Sequence, residues 1–171
     1  MDTWDAITSR RQARSFTDQP LPERLLHQIL EAGRRAPSGR NGQPWDFVVV
    51  TDRDQLERLS GVWQGASWVA GSVATVALIL PIQEEERPRI MNRADLGQAA
   101  MQMMIAATGL GVASGQASCA DQELAQEVLG FPDGRYCALL IALGYPGDRP
   151  LAPIKKPARR DFDDVVHFGT W

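Results

Sequence analysis

The sequence predicts one domain that mixes helices with short buried strands. Three observations carry that reading. Uninterrupted apolar runs at 73–80 and 136–143 have strand length and strand composition, and the second is continuous enough to be buried on both faces. A further segment, 46–51, follows Pro44-Trp45 and reads as a buried strand. Between these runs, apolar residues recur at helical spacing: Leu25, Leu26, Ile29, Leu30, Ala32 and Gly33 form one stripe, and Leu96, Ala99, Ala100, Met103, Ala106, Ala107 and Leu110 form a broader one. The 171 residues suffice for one domain with a sizeable core, and there is no internal repeat or compositional break to divide them.

A first helix is expected over 3–10. Asp2 can cap it, Asp5 places negative charge in its first turn, and Trp4 and Ile7 give it an apolar face. It delivers the basic segment 10–16, RRQARSF. Arg10 and Arg14 are four apart, so on a continuing helical turn both guanidinium forks would point the same way, as a phosphate requires. The same two arginines also suit a solvated helix end meeting the helix dipole, and spacing alone does not separate the two readings.

Leu21-Pro22-Glu23 opens a second helix, with proline tolerated in its first turn. Pro37 is expected to stop that helix at about Ala36. The stretch 34–51, RRAPSGRNGQPWDFVVVT, then organises the chain. Gly39 and Gly42 are expected to supply positive φ and close backbone approach. Ser38, Arg40, Asn41 and Gln43 place a dense set of donors on a short loop held by rigid elements, where binding tends to be located.

Next come a short helix at 54–60 and a glycine-rich tract, 61–71, carrying Trp63 and Trp68. The strand 73–80 follows. Residues 83–91 are charged and read as exposed, and Asp95 with Gln98 reads as the capping pair of a long helix over 96–110. Its alanines permit close packing, either at the centre of the domain or in a subunit interface, and Met101, Met103 and Met104 read as packing residues. Gly109 and Gly111 end it. Residues 112–116 form a short strand running into a polar loop, Asp121 starts another helix closed by Gly130, and Gly144-Tyr145-Pro146-Gly147 ends the last strand. The tail from Asp148 is proline-rich and basic but retains Phe162, Val165, Val166 and Phe168, which suggests that it docks on something, a partner subunit among the options.

Composition excludes several functions. A net charge of -3 argues against nucleic acid and anionic membrane as global partners, although Arg10, Arg11 and Arg14, Arg34, Arg35 and Arg40, and Lys155, Lys156, Arg159 and Arg160 form local clusters. Cys119 and Cys137 lack a CxxC spacing, so reduced thiols in the cytoplasm are expected. His27 and His167 are the only imidazoles, so no metal site is expected. The N-terminus is acidic and lacks the apolar run of a signal peptide. Residues 59–83 carry no charge, but glycines, serines and Gln64 interrupt the first half, and no membrane span is expected.

Four blocks in order, RRQARSF at 10–16, RRAPSGRNGQPWDFVVVT at 34–51, RADLGQAAMQMMIAATGLGV at 93–112 and ALLIALGYP at 138–146 with the basic tail, resemble the nitroreductase family of FMN flavoproteins. The resemblance covers nearly the whole chain. It implies an α+β fold with a mainly antiparallel central sheet flanked by helices, in a homodimer with two FMN sites at the interface. The chain is then one FMN-binding domain over 1–171 whose C-terminal tail docks on the partner subunit.

By the same resemblance, Arg10, Arg11, Gln12 and Arg14 hold the phosphate and ribityl chain. Gln12 departs from the serine frequent at that position. Pro37, Ser38, Gly39 and Asn41 reach the flavin from the other subunit, and Ser114, Gly115 and Gln116 lie near the ring. Arg159 and Arg160, with Lys156 behind them, complete the phosphate site.

The implied activity is an oxidoreductase that passes reducing equivalents from NAD(P)H through flavin N5 to nitro compounds, quinones or related small aromatic acceptors, in ping-pong order. The cofactor carries the chemistry, so no catalytic side chain is expected. A deazaflavin in place of FMN, an FMN storage protein, and a specialised flavin-fragmenting or dehalogenating relative are the alternatives. Nucleic-acid binding through the arginines is disfavoured by net charge and by the lack of a basic aromatic stripe.

Overall fold

The computed structural model describes residues 1–171. Nine principal elements follow one another: α1 (Thr3–Ser9), α2 (Glu23–Arg34), β1 (Asp46–Val50), α3 (Arg53–Leu59), β2 (Ala74–Pro81), α4 (Glu86–Gly109), β3 (Ala113–Ala117), α5 (Gln122–Leu129) and β4 (Arg135–Gly144). The strands form one sheet in the order β1-β2-β4-β3, and every neighbouring pair is antiparallel. The α+β architecture expected from the resemblance is therefore the observed one.

The sheet is buried on both sides because its two central strands are apolar at nearly every position, Thr75 and Arg135 excepted. Val76, Leu78 and Leu80 of β2 and Ile141 and Leu143 of β4 face α2 and α4; Ala77, Ile79, Leu140 and Ala142 face α3, α5 and the 62–69 segment. Burying side chains of this size stabilises the fold by roughly 1.5–3 kcal/mol each. One residue is inserted in β4 beside Leu78/Ile79, where the register shifts. α2 crosses α4 closely because Gly33 has no side chain: a Cβ there would lie 2.1 Å from Met103 Cε.

Helix ends follow their local chemistry. Asp2, Asp52 and Asp121 each accept a first-turn N–H at 2.7–3.0 Å, and Gly130 closes α5 in the left-handed conformation. α2 ends at Arg34, with Arg35 as its C-cap, slightly before the expected stop at Ala36. The larger correction concerns α4. It starts at Glu86, ten residues before the expected start, so Asp95 is not a cap but a buried residue inside the helix. Pro88 does not prevent this, because N–H groups in a first turn have no intrahelical acceptor to lose.

No helix is long and apolar enough to cross a membrane. The tail beyond Gly144 has little regular structure, and Phe162, Val165, Phe168 and Trp171 in it are exposed.

Candidate functional site

The basic segment after α1 does not continue as a helix. Arg10 leaves α1 in extended conformation, and the chain runs parallel to β3, covering the sheet's edge. Ala13 N–H donates to Ser114 O at 3.0 Å. Gln12 adds a side-chain clasp: its Nε2 donates to Gln116 O at 2.7 Å and its Oε1 accepts the Gln116 N–H at 3.1 Å. The carboxamide of Gln12 is therefore committed to the main chain of β3. Further on, Thr17 N–H donates to Tyr145 O and Gly147 N–H to Ser15 O.

Gly115 is required by this clasp. A Cβ on it would stand 2.1 Å from Ala13 O and 2.9 Å from the Trp68 ring. The sequence reading assigned Gly115 to the cofactor; in the structure its missing side chain makes room for the chain's own N-terminal segment.

The arginines of the segment divide their roles. Arg10 is half-buried, with Nη1 3.8 Å from Met104 Sδ. Burial, and after it the charge of Arg159, holds its guanidinium below the ordinary arginine range. The charge of one basic end of the chain thus acts on the other, and neither Arg10 nor Arg159 makes a salt bridge. Arg160 instead donates to the Asp164 carbonyl within its own turn, which separates the two C-terminal candidates. Arg11 Nη2 donates to Ala152 O at 2.8 Å, while its Nε is buried without a partner, as is Ser114 Oγ.

Two cavities flank the segment. One of about 550 Å³ is lined by Arg11, Arg14 and Arg149 among others, and one of about 230 Å³ by Gln12, Arg14, Trp63, Trp68 and Gln116. Arg14 lines both. Arg149 and the tryptophans were not among the site residues read from sequence; residue type alone gives no signal that they would reach this edge.

The 37–41 loop lies elsewhere. Gly39 N–H donates to Asp95 Oδ2 at 3.0 Å, on the first half of α4. Asp95 and the Met104 that Arg10 touches are roughly 14 Å apart along the helix and on opposite faces, at 1.5 Å rise and 3.6 residues per turn. The structure therefore joins Arg10, Arg11, Gln12, Arg14, Ser114, Gly115, Gln116 and Arg159, and leaves Pro37, Ser38, Gly39 and Asn41 apart from them.

The backbone of that loop corrects a sequence expectation. Gly42 is right-handed, with φ of -69°, and Gly39 does not take positive φ; the left-handed residues are Arg40 (φ 54°), Asn41 (57°) and Gln43 (45°). Such conformations cost about 1–3 kcal/mol each outside glycine and persist where surroundings enforce them.

Away from this edge, the cysteines come together. The Gln122 Nε2 donates to Cys119 O at 3.0 Å and to Cys137 O at 2.8 Å. Both thiols are free. Cys119 Sγ donates to Asp121 O at 3.6 Å and Cys137 Sγ to Leu139 O at 3.8 Å. The neighbouring Cys137 thiol favours the thiolate of Cys119 and lowers its pKa, while Cys119, and then burial, raises that of Cys137.

An antiparallel sheet between helical layers, with an unpaired guanidinium cluster at one edge, defines an α+β protein equipped to hold an anionic ligand. The family model described as the nitroreductase family matches residues 7–77 and 63–145. The chain belongs to the nitroreductase family and is an oxidoreductase of that class.

An NADH dehydrogenase of Thermus thermophilus is 28% identical over 193 residues, covering 94% of each chain. An FMN reductase [NAD(P)H] of Bacillus subtilis is 28% identical over 97% of this chain and 73% of its own. The solved NADPH:FMN oxidoreductase of Vibrio harveyi, complexed with NAD+, superposes with a TM-score of 0.85 at 22% identity, covering 99% of this chain and 77% of that one.

Proposed function

We propose that the protein is a homodimeric FMN-dependent oxidoreductase that takes reducing equivalents from NAD(P)H and passes them to nitro, quinone or related small aromatic acceptors. The observation that carries this reading is the half-buried Arg10 guanidinium, which has no carboxylate partner and is acted on by the charge of Arg159 from the other end of the chain. A ligand phosphate would offset the burial of Arg10 and the repulsion between the two. The buried, unpartnered Arg11 Nε and Ser114 Oγ fit the same ligand, since such atoms are costly without an acceptor or donor. The names of the relatives, with FMN and NAD(P)H in them, support the choice of ligand.

Arg10, Arg11 and Arg159 would hold the phosphate. Arg14, Ser114 and Gln116 would border the ring, and Gln12 would keep Gln116 in place rather than touch the ligand itself. Gly115 would keep the clasped segment close to β3. FMN, held by these residues, would supply the two-electron redox chemistry that side chains lack.

The separation of the 37–41 loop from Arg10 supports a dimer in which each loop, with Pro37, Ser38, Gly39 and Asn41, serves the cofactor of the other copy. The tail from Asp148 would dock on that copy. Only residues 82–85 lie between β2 and α4, too few to build a lid, and this favours an open site with reductant and acceptor alternating in one place. The location is the cytoplasm.

The test is the visible spectrum of the purified protein and the mass of its released chromophore. A flavin spectrum with FMN released on denaturation is the expected result. Anaerobic NADH or NADPH should bleach it, and a quinone or nitroaromatic should restore it. A colourless protein that does not take up FMN rejects the proposal.

A further inference from the structure

The loop from Ser38 to Gln43 is strained and exposed, yet one side chain ties it to the body of the protein. Within the loop, Asn41 N–H donates to Ser38 O, Gly42 N–H to Gly39 O, and Gln43 N–H to Ser38 Oγ at 3.0 Å. Gln43 Nε2 also donates to Asn41 O at 3.2 Å. These bonds shape the loop but do not fix where it sits. Its hydrogen bond to another element is the one from Gly39 N–H to Asp95 Oδ2, at 3.0 Å.

Asp95 is an unusual residue for its place. It is 6% exposed in the middle of α4 and makes no salt bridge. Its other oxygen is approached only by Gln98 Nε2, at 3.4 Å. A buried carboxylate without a cation is unfavourable for folding, so packing of α4 does not account for it. Its Oδ2 is, however, placed to accept from the Gly39 N–H, and a bond from the helix can hold a strained segment whose internal bonds do not fix its position.

We propose that Asp95 is a positioning residue: through Gly39 it fixes the height and the left-handed conformation of the Ser38–Gln43 loop against α4, and thereby the placement of Ser38 to Asn41 at the cofactor of the second copy. This rests on the reading of that loop as part of a shared FMN site.

The experiment compares Asp95→Ala, Asp95→Asn and Arg10→Ala in the full chain. It measures amide exchange of the 38–43 peptide in the flavin-loaded protein, the FMN dissociation constant, and the thermal midpoint. In Asp95→Ala, exchange at 38–43 should rise at least about tenfold, as expected when a bond to a charged acceptor is lost. FMN affinity should fall about tenfold, with the thermal midpoint within a few degrees of the parent. Asp95→Asn keeps an oxygen that accepts from Gly39, and it should recover most of both losses. Should Asp95→Ala fail to fold, Asp95→Ser, too short to reach Gly39, is read in its place.

Unchanged exchange in Asp95→Ala overturns the proposal. So does an Asn variant as impaired as Ala, with losses that track the thermal midpoint. If Asp95→Ala leaves FMN affinity intact while Arg10→Ala weakens it, the positioning role fails and the site reading stands. If neither variant alters FMN affinity, the site reading fails and takes the proposal with it.

Discussion

Arg10, whose Nη1 lies 3.8 Å from Met104 Sδ, feels the positive charge of Arg159 from the opposite end of the chain, and neither arginine has a carboxylate to neutralise it. Burial and then Arg159 weaken the hold of Arg10 on its proton, so the pair is unfavourable until an anion arrives. We expect Arg10→Gln to lower FMN affinity by about ten- to a hundredfold, the equivalent of roughly 1.5–3 kcal/mol for a hydrogen bond to a charged group. Riboflavin, which lacks the phosphate, should bind equally well to parent and variant. Titration of apoprotein with both ligands checks this; an equal loss for riboflavin would place Arg10 away from the phosphate.

Arg40 sits at φ 54° and ψ 22°, where a Cβ is disfavoured. Arg40→Gly removes that penalty of about 1–2 kcal/mol but adds about 0.5–1 kcal/mol of chain entropy in the unfolded state. We expect a net stabilisation of up to about 1.5 kcal/mol in denaturant unfolding at fixed flavin content. A clear destabilisation would show that Arg40 makes contacts that outweigh its backbone strain.

The two central strands, β2 and β4, were legible because both of their faces are buried, so each reads as a largely apolar run whatever its partners; β1, half-exposed, was legible from its run of valines after Pro44-Trp45. The start of α4 was not. Residues 86–94 have no apolar stripe, periodicity is silent there, and a proline looks like a stop although it falls in the first turn. Gly39 and Gly42 were expected to bend the loop because glycine is the residue that does so without cost. Tertiary restraint from Asp95 and Ser38 instead puts the bend on Arg40, Asn41 and Gln43.

At the site, the residue types of the basic segment were legible, but its geometry was not. The mutual hydrogen bonds of Gln12 and Gln116 join positions with no local relation in the sequence. Which of Arg159 and Arg160 acts on Arg10 depends on tail conformation, to which residue type is silent: the charge of Arg159 reaches Arg10, while Arg160 donates to Asp164 O.

The cysteine pair offers a test of side-chain chemistry away from the site. Cys119 is half-buried with its pKa lowered, chiefly by the neighbouring Cys137 thiol, whereas Cys119 and burial raise that of Cys137. The thiolate is the nucleophile. Iodoacetamide at mildly alkaline pH should therefore modify Cys119 and spare Cys137, with Cys119→Ser abolishing the labelling of the folded protein. Peptide mass mapping reads the outcome, and earlier modification of Cys137 would contradict this arrangement of the two thiols.

Glu31 accepts from Arg34 Nε at 2.6 Å and Arg35 Nε at 2.6 Å on the surface of α2. Those hydrogen bonds, Arg34 first, hold its carboxyl down at about 2. A lowered folded-state pKa contributes stability that is fully present above the unfolded value and lost as pH falls through the folded one. We expect Glu31→Gln to lower the thermal midpoint slightly at neutral pH and low salt. The difference should fade as pH falls from 4.5 to about 2. High salt should also remove it, because the pair is exposed. A difference that persists at low pH would mean that Glu31 acts through something other than its charge.

The last expectation concerns assembly. Trp4 and Ile7 on α1, Met101 on α4, and Phe162, Val165, Phe168 and Trp171 in the tail are all exposed large apolar residues. α1 and the latter half of α4 pack together, so the first three belong to neighbouring elements beside Arg10. A single domain leaves this surface wet, and a second copy would bury it while carrying its own 37–41 loop towards the arginines. Sedimentation at micromolar concentration should show a dimer and no monomer. Trp4→Glu, placing a charge on that surface, should shift the population to monomer and lower FMN occupancy in parallel. Far-ultraviolet dichroism should stay near that of the parent. A monomeric variant that keeps its full complement of FMN would show that each chain completes its own site, and the partner's loop would then have no part in holding the cofactor.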